Sequence, residues 1–200
     1  MTTRNSNQVI ANIRDIENAI VNKIMESRKE GESNEAFNFM QPNYMKYFTE
    51  QPNILRLMQA YANNAMQPLT VCMFGLDGFQ NEDSSIADAS YNQVFNYIAI
   101  AKRDISDDKL DSLFAHEMSH AIMRAQFNEN MIKMINRDMK NPYEKRVDEA
   151  IAHIVGDNIT KVDNIVEYLQ GDFDVPSNVE LTRDEIKSSG LYRLFMSNFN

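Results

Sequence analysis

The chain has 200 residues, is 43% apolar and 24% charged, and carries a net charge of −9. That length suffices for one domain with a real core. The acidic balance argues against nucleic acid as the main partner, because phosphate binding needs clustered Lys and Arg. One cysteine, Cys72, excludes an internal disulfide and a cysteine-rich zinc site, and reads as a small buried residue. No apolar run approaches the roughly 20 residues of a membrane span. "MTTRNSNQVIANIRDIENAI" lacks the continuous apolar stretch of a secretory signal, so the expectation is a cytoplasmic protein with no membrane partner.

Val9, Ile13, Ile16, Ile20 and Ile24 recur at helical spacing and predict an amphipathic helix over residues 6–28, closed by "KEGESNE". Two shorter helices follow, with Pro42 and Pro52 near their starts, where a missing N–H costs nothing. "PLTVCMFGLDG" is apolar and β-branched and predicts a strand. "FQNEDSSIADASYN" reads as a polar, acidic loop, and "QVFNYIAIAK" as a second strand. Ser106 is the expected N-cap of the next helix, with Asp107 and Asp108 favouring its N-terminus. Leu110, Leu113, Phe114, Met118, Ala121 and Ile122 give that helix a broad apolar surface.

"ENMIKMINRDMK" predicts another helix, and Asn141-Pro142 a cap and first position for "YEKRVDEAIAHIVGDNITKV". The tail adds "VDNIVEYLQG" and "TRDEIKSSGLYRLF", the latter with a capping box from Thr182 to Glu185 and a glycine stop at Gly190. The thirteen methionines read as core filler. Together these elements predict an α+β fold, mostly helical, with a small sheet packed against the long helix beginning after Ser106. No internal repeat or long linker divides the chain. It reads as one domain over 1–200, with N-terminal helices in 1–65, the sheet and the motif helices in 66–160, and C-terminal helices in 161–200.

"HEMSH" places His116 and His120 one turn apart on one helical face, a spacing that suits two imidazoles on a single Zn²⁺. Glu117 lies about 100° around the helix from His116, where it reaches water beside the metal rather than the metal itself. A catalytic zinc keeps three protein ligands and one open position. Downstream, "RVDEAIAHIVG" offers Asp148, Glu149 and His153; Glu149 and His153 share one helical face, so one can bind metal while the other supports it.

"HEMSH" followed by "DEAIAHIVG" resembles the gluzincin metallopeptidases, and the surroundings of the downstream glutamate resemble their thermolysin-like branch. "NYIAIAKRDISDDKLDSLFAHEMSH" looks more like the small, minimal gluzincins. The resemblance spans about Asn92 to Ile159, a third of the chain. It implies a zincin-like domain that hydrolyses peptide bonds through a zinc-activated water, with a protein or peptide as substrate. It further implies His116, His120 and Glu149 as zinc ligands, Glu117 as general base, and His153 where the family has an orienting carboxylate; Asp148 is a further supporting group. His153 itself as the ligand, supported by Asp148 or Glu149, is the alternative. The chain departs from the family in having no histidine after His153 to stabilise the oxyanion. Tyr192, Arg193 and Tyr143 are the substitute donors expected. The strand "NYIAIAK" is expected either to be buried structure or to pair with extended substrate at a sheet edge. The rival functional expectation is a non-catalytic binding or regulatory protein on the same fold, its metal structural or vestigial.

Overall fold

A computed structural model describes residues 9–29, 36–41, 43–125 and 129–200. Among them the chain runs β1 (Ile10–Asn12), α1 (Ile13–Lys29), β2 (Phe37–Phe39), α2 (Asn43–Thr49) and α3 (Pro52–Asn64). Five strands follow: β3 (Leu69–Phe74), β4 (Gly78–Gln80), β5 (Ile86–Ala87), β6 (Ala89–Asn92) and β7 (Tyr97–Ala101). The remainder is helical: α4 (Asp107–Arg124), α5 (Glu129–Asp138), a 3-10 turn (Tyr143–Lys145), α6 (Val147–Asn158), α7 (Ile165–Gln170), α8 (Arg183–Ser188) and α9 (Gly190–Ser197). The fold is α+β, mostly helical with small mixed sheets.

The main sheet has the order β2-β3-β7-β6, with β2, β3 and β7 parallel and β6 antiparallel at one edge. β3 and β7 are covered on both faces, which is why "LTVCMF" and "YIAIA" are nearly continuous apolar runs. Alternation sends Val71, Met73, Ile98 and Ile100 into the core shared with α3, α4 and α6. Cys72, Tyr97, Ala99 and Ala101 point the other way, against Ile20 and Ile24 of α1. The larger core is anchored by Phe114 of α4 stacked on Phe48 of α2, ring centroids 3.9 Å apart. Each large side chain buried there contributes about 1.5–3 kcal/mol of transfer free energy.

α6 packs antiparallel on α4 closely enough to need a glycine. A Cβ on Gly156 would lie 2.9 Å from the Ser112 carbonyl oxygen and 3.2 Å from His116 Cβ. Glu149 lies seven residues earlier, two turns along the same face, so this contact sets how near Glu149 comes to the histidines.

Several local expectations need correction. The first helix begins at Ile13, because Ile10–Asn12 pairs in parallel with Gly78–Gln80 as a strand. Residues 6–8 and Pro42 lie outside the described residues. The acidic segment after β3 holds three short strands, whose polar composition hid a period too short to read. Pro142 starts only the 3-10 turn, and α6 begins after an extended Arg146. Gly190 does not end a helix: α8 stops at Ser188, and Ser189 caps α9, in which Gly190 is the first residue. Pro52 at the start of α3, the Ser106 cap and the Thr182–Glu185 box stand as expected. No helix among the described residues is long and apolar enough to cross a membrane.

Candidate metal centre

α4 carries His116 and His120 on the face turned towards α6, and α6 brings Glu149 to meet them in its first turn. Arg146, the N-cap of α6, makes no side-chain cap bond. Asp138 from the end of α5 serves instead, accepting from the N–H groups of Val147 at 3.1 Å and Asp148 at 2.9 Å. That remote cap fixes the turn that bears Glu149.

His116 Nε2 and His120 Nε2 each lie 3.6 Å from Glu149 Oε2. One ligand atom from each of the three side chains falls within 4.8 Å of the others, a group able to hold a metal ion. Tetrahedral ligands on bonds of ~2.0–2.1 Å stand about 3.4 Å apart, so the two 3.6 Å separations fit one small cation. The donor chemistry fits as well: two imidazoles and one carboxylate form a set typical of zinc. His120 Nδ1 is buried without a hydrogen-bond partner, 3.7 Å from Asp148 Oδ2. A carboxylate in this position is what a metal-bound histidine would have behind it.

Charge is arranged for a cation. Burial alone would raise the Glu149 carboxyl, but hydrogen bonds and charge from His116 and His120 outweigh it and hold the group well below the usual carboxylate range. Asp148, fully buried, is likewise penalised by burial yet held low by the Arg146 guanidinium, whose Nε and Nη2 donate to its two oxygens at 3.0 and 2.7 Å. Arg124 Nη2 adds a second cation 3.6 Å away.

Glu117 stands outside the ligand group. Burial pushes its carboxyl up to about 7, partly offset by His116, while Glu149 adds to the rise. The backbone of Tyr91 in β6 acts in the lowering direction, short of reversing the rise. His116, Glu117, His120 and Glu149 line one cleft of about 560 Å³, bordered by Ala89–Asn92 of β6 on one side and by Tyr143 and Arg146 on the other.

The remaining expected site residues divide. Asp148 stands behind His120, its Oδ2 3.7 Å from His120 Nδ1. His153 is not in the ligand group. Its ring lies T-shaped against His116 with centroids 4.8 Å apart, and its Nε2 is 3.2 Å from both the Tyr143 hydroxyl and the Asn178 amide nitrogen. An amide N–H only donates, so Nε2 accepts and the ring is neutral; burial, then His116, lowers its pKa. Burial first and the nearby Glu149 carboxylate second raise the pKa of the Tyr143 hydroxyl.

Tyr192 and Arg193 are not brought to the cleft. The Tyr192 hydroxyl donates to the Leu169 carbonyl at 2.6 Å within the core, and Arg193 Nη1 donates to the Ser188 carbonyl at 2.9 Å. α9 turns its apolar side inward, which spends Tyr192 on packing. The strand "NYIAIAK" is interior, flanked by β3 and β6. The edge strand beside the cleft is β6, from a segment whose polar composition predicts loop. Arg124, Arg146 and Asp138 were also missed; the i,i+4 spacing of Arg124 from His120 was their one visible signal. No family model, no curated protein and no solved structure matches the chain.

Proposed function

We propose that the chain is a zinc-dependent metallopeptidase of gluzincin type, with His116, His120 and Glu149 as the residues that would hold the metal. The observation that carries the reading is Glu117: a buried carboxylate, excluded from the ligand group, beside it in an open cleft. A structural metal site has no use for such a group. When bound, zinc supplies Lewis acidity, acidifying water and polarising a carbonyl.

The protein's own groups then have distinct tasks. Glu117, poised near neutrality, takes a proton from the attacking water and delivers it to the leaving amine. The Tyr143 hydroxyl, facing the same cleft, donates to the oxygen that gains charge as the carbonyl is attacked. Asp148 holds the His120 ring in orientation. The free edge of β6 offers N–H and C=O groups to an extended peptide backbone, which makes a protein or peptide the substrate.

Zinc-loaded Glu117→Gln is the test. The variant keeps the metal content of the parent and loses peptide cleavage by roughly 10²–10⁴-fold. A variant as active as the parent, or a parent that takes up no stoichiometric zinc, overturns the reading. Tyr143→Phe lowers kcat by roughly 10²-fold with KM little changed if the hydroxyl serves the transition state.

A further inference from the structure

The cleft does not end at the metal-binding residues. Beyond Arg124 it continues into a second cavity of about 420 Å³, and Gln93, Val94 and Arg124 line both. The second cavity has an apolar floor of Met123, Met131 and Ile135, all at most 4% exposed. Val94 and Ile132 stand at its rim, 72% and 45% exposed, and Phe95, next in the chain, is also exposed.

Val94 is not exposed because its backbone is loose. Asn92 Oδ1 accepts from the N–H groups of Val94 at 2.9 Å and Phe95 at 3.0 Å. Asn96 closes the hairpin with a left-handed φ of 53°, and its buried amide donates to the Tyr61 hydroxyl and the Pro68 carbonyl, both at 2.7 Å. A fixed turn therefore presents a valine to solvent at the mouth of an apolar cavity.

The charges around this cavity narrow its occupant. Among the described residues no carboxylate borders it, so a basic side chain finds no partner. Its one cation, Arg124, is committed: Nε donates to Gln93 Oε1 at 2.9 Å, Nη1 donates to the His120 carbonyl at 3.3 Å, and Nη2 lies 3.6 Å from Asp148. An acidic side chain finds no uncommitted cation there either, only the neutral amides of Gln67, Gln93 and Asn136. The volume suits one large apolar side chain, and the two methionines let Leu, Met and Phe fit alike.

We infer that this cavity is a subsite for a large apolar side chain of the substrate, on the N-terminal side of the bond that is cut. The inference rests on the peptidase reading above. Its direction follows from β6: an extended peptide pairing antiparallel with that strand, the commoner mode, runs with its N-terminal side over Gln93 and Val94. Specificity is thereby set largely by the hairpin and by α5, which carry none of the candidate metal-binding residues, together with Met123 at the end of α4.

Binding can be read without turnover. Zinc-loaded Glu117→Gln protein, labelled with ¹³C at its methionine methyls, is titrated with a capped hexapeptide bearing one central phenylalanine. The same peptide with alanine in that place is the comparison. The Met123 and Met131 methyls shift with the first peptide, which binds roughly tenfold or more tighter than the second. Ile132→Asp, a change at an exposed position, abolishes that difference. Unmoved methyls, or equal affinities, overturn the subsite. Digestion of a peptide library by the zinc-loaded wild type separates the two ideas. Cleavage with no preference for a large apolar residue before the cut sinks the subsite and leaves the peptidase reading intact. Methyl shifts without any cleavage by wild type sink the peptidase reading and leave the cavity as a binding site for apolar side chains.

Discussion

His120 and His116 leave α4 on one face, one turn apart, yet different chemistry stands behind each. His120 is backed by fully buried Asp148, itself clamped by Arg146 and approached by Arg124. His116 has the neutral ring of His153 against it, tied to Tyr143 and Asn178 at the cleft edge. One side is charged and closed, the other neutral and more open. The difference teaches that the spacing of two ligands says nothing about how firmly each is held. Support is a tertiary property, and here it is concentrated on one of the two candidate ligands.

The largest expected effect tests the closed side. Asp148→Ala strips a buried carboxylate from two guanidinium groups and destabilises the fold by about 3–5 kcal/mol in denaturant unfolding. Asp148→Asn, nearly isosteric, lowers the affinity for the proposed zinc about 10–100-fold by chelator competition. Glu117, on the β6 side, titrates in the opposite sense from the ligand carboxylate. Its pKa is raised from 4.5 to about 7, so the folded protein gains stability from protonating it. That stability is fully present below pH 4.5 and is lost as pH rises through about 7. Metal-free Glu117→Gln therefore gains on the parent across this window, by on the order of 2–3 kcal/mol. A difference that is flat with pH would remove the case for a desolvated carboxyl.

Gly156→Ala pushes α6 away from Ser112 and His116 and costs about 1–3 kcal/mol, with a parallel loss of zinc affinity. His153→Ala is the mildest, changing stability by less than about 1 kcal/mol. Its lowered pKa gives a second handle: the folded state favours the neutral ring, so its contribution is present above pH 6.5 and fades as pH falls below that value. The variant should lose that segment of the pH–stability slope. If instead it loses as much zinc affinity as Asp148→Asn, the contrast between the two sides is wrong.

The parts of the centre legible in sequence were those written in local helical geometry. His116 and His120 at i and i+4 and the caps at Ser106 and Thr182 are each set by neighbours within four residues, whereas local spacing left Asp148, Glu149 and His153 open and only the gluzincin resemblance favoured Glu149. What was illegible depends on distant chain. β6 is four residues of mixed polarity, loop-like in composition and made a strand only by pairing with β7. Tyr192 is a credible donor by type, but the packing of α9 takes its hydroxyl to Leu169. Asp138 caps α6 from another helix. Gly156 reads as an ordinary helical glycine until α4 is seen against it.

The near contact at Gly156 has a consequence for the protein stripped of metal. In small zinc modules the cation is the core, and a chelator unfolds them. Here apolar side chains between α4 and α6 hold the ligand atoms at almost the right separation already, so an arriving cation finds a nearly finished socket. Its removal returns only the linkage term, about 2.7 kcal/mol at a hundredfold excess over Kd. The apoprotein should stay folded and take the ion back without refolding.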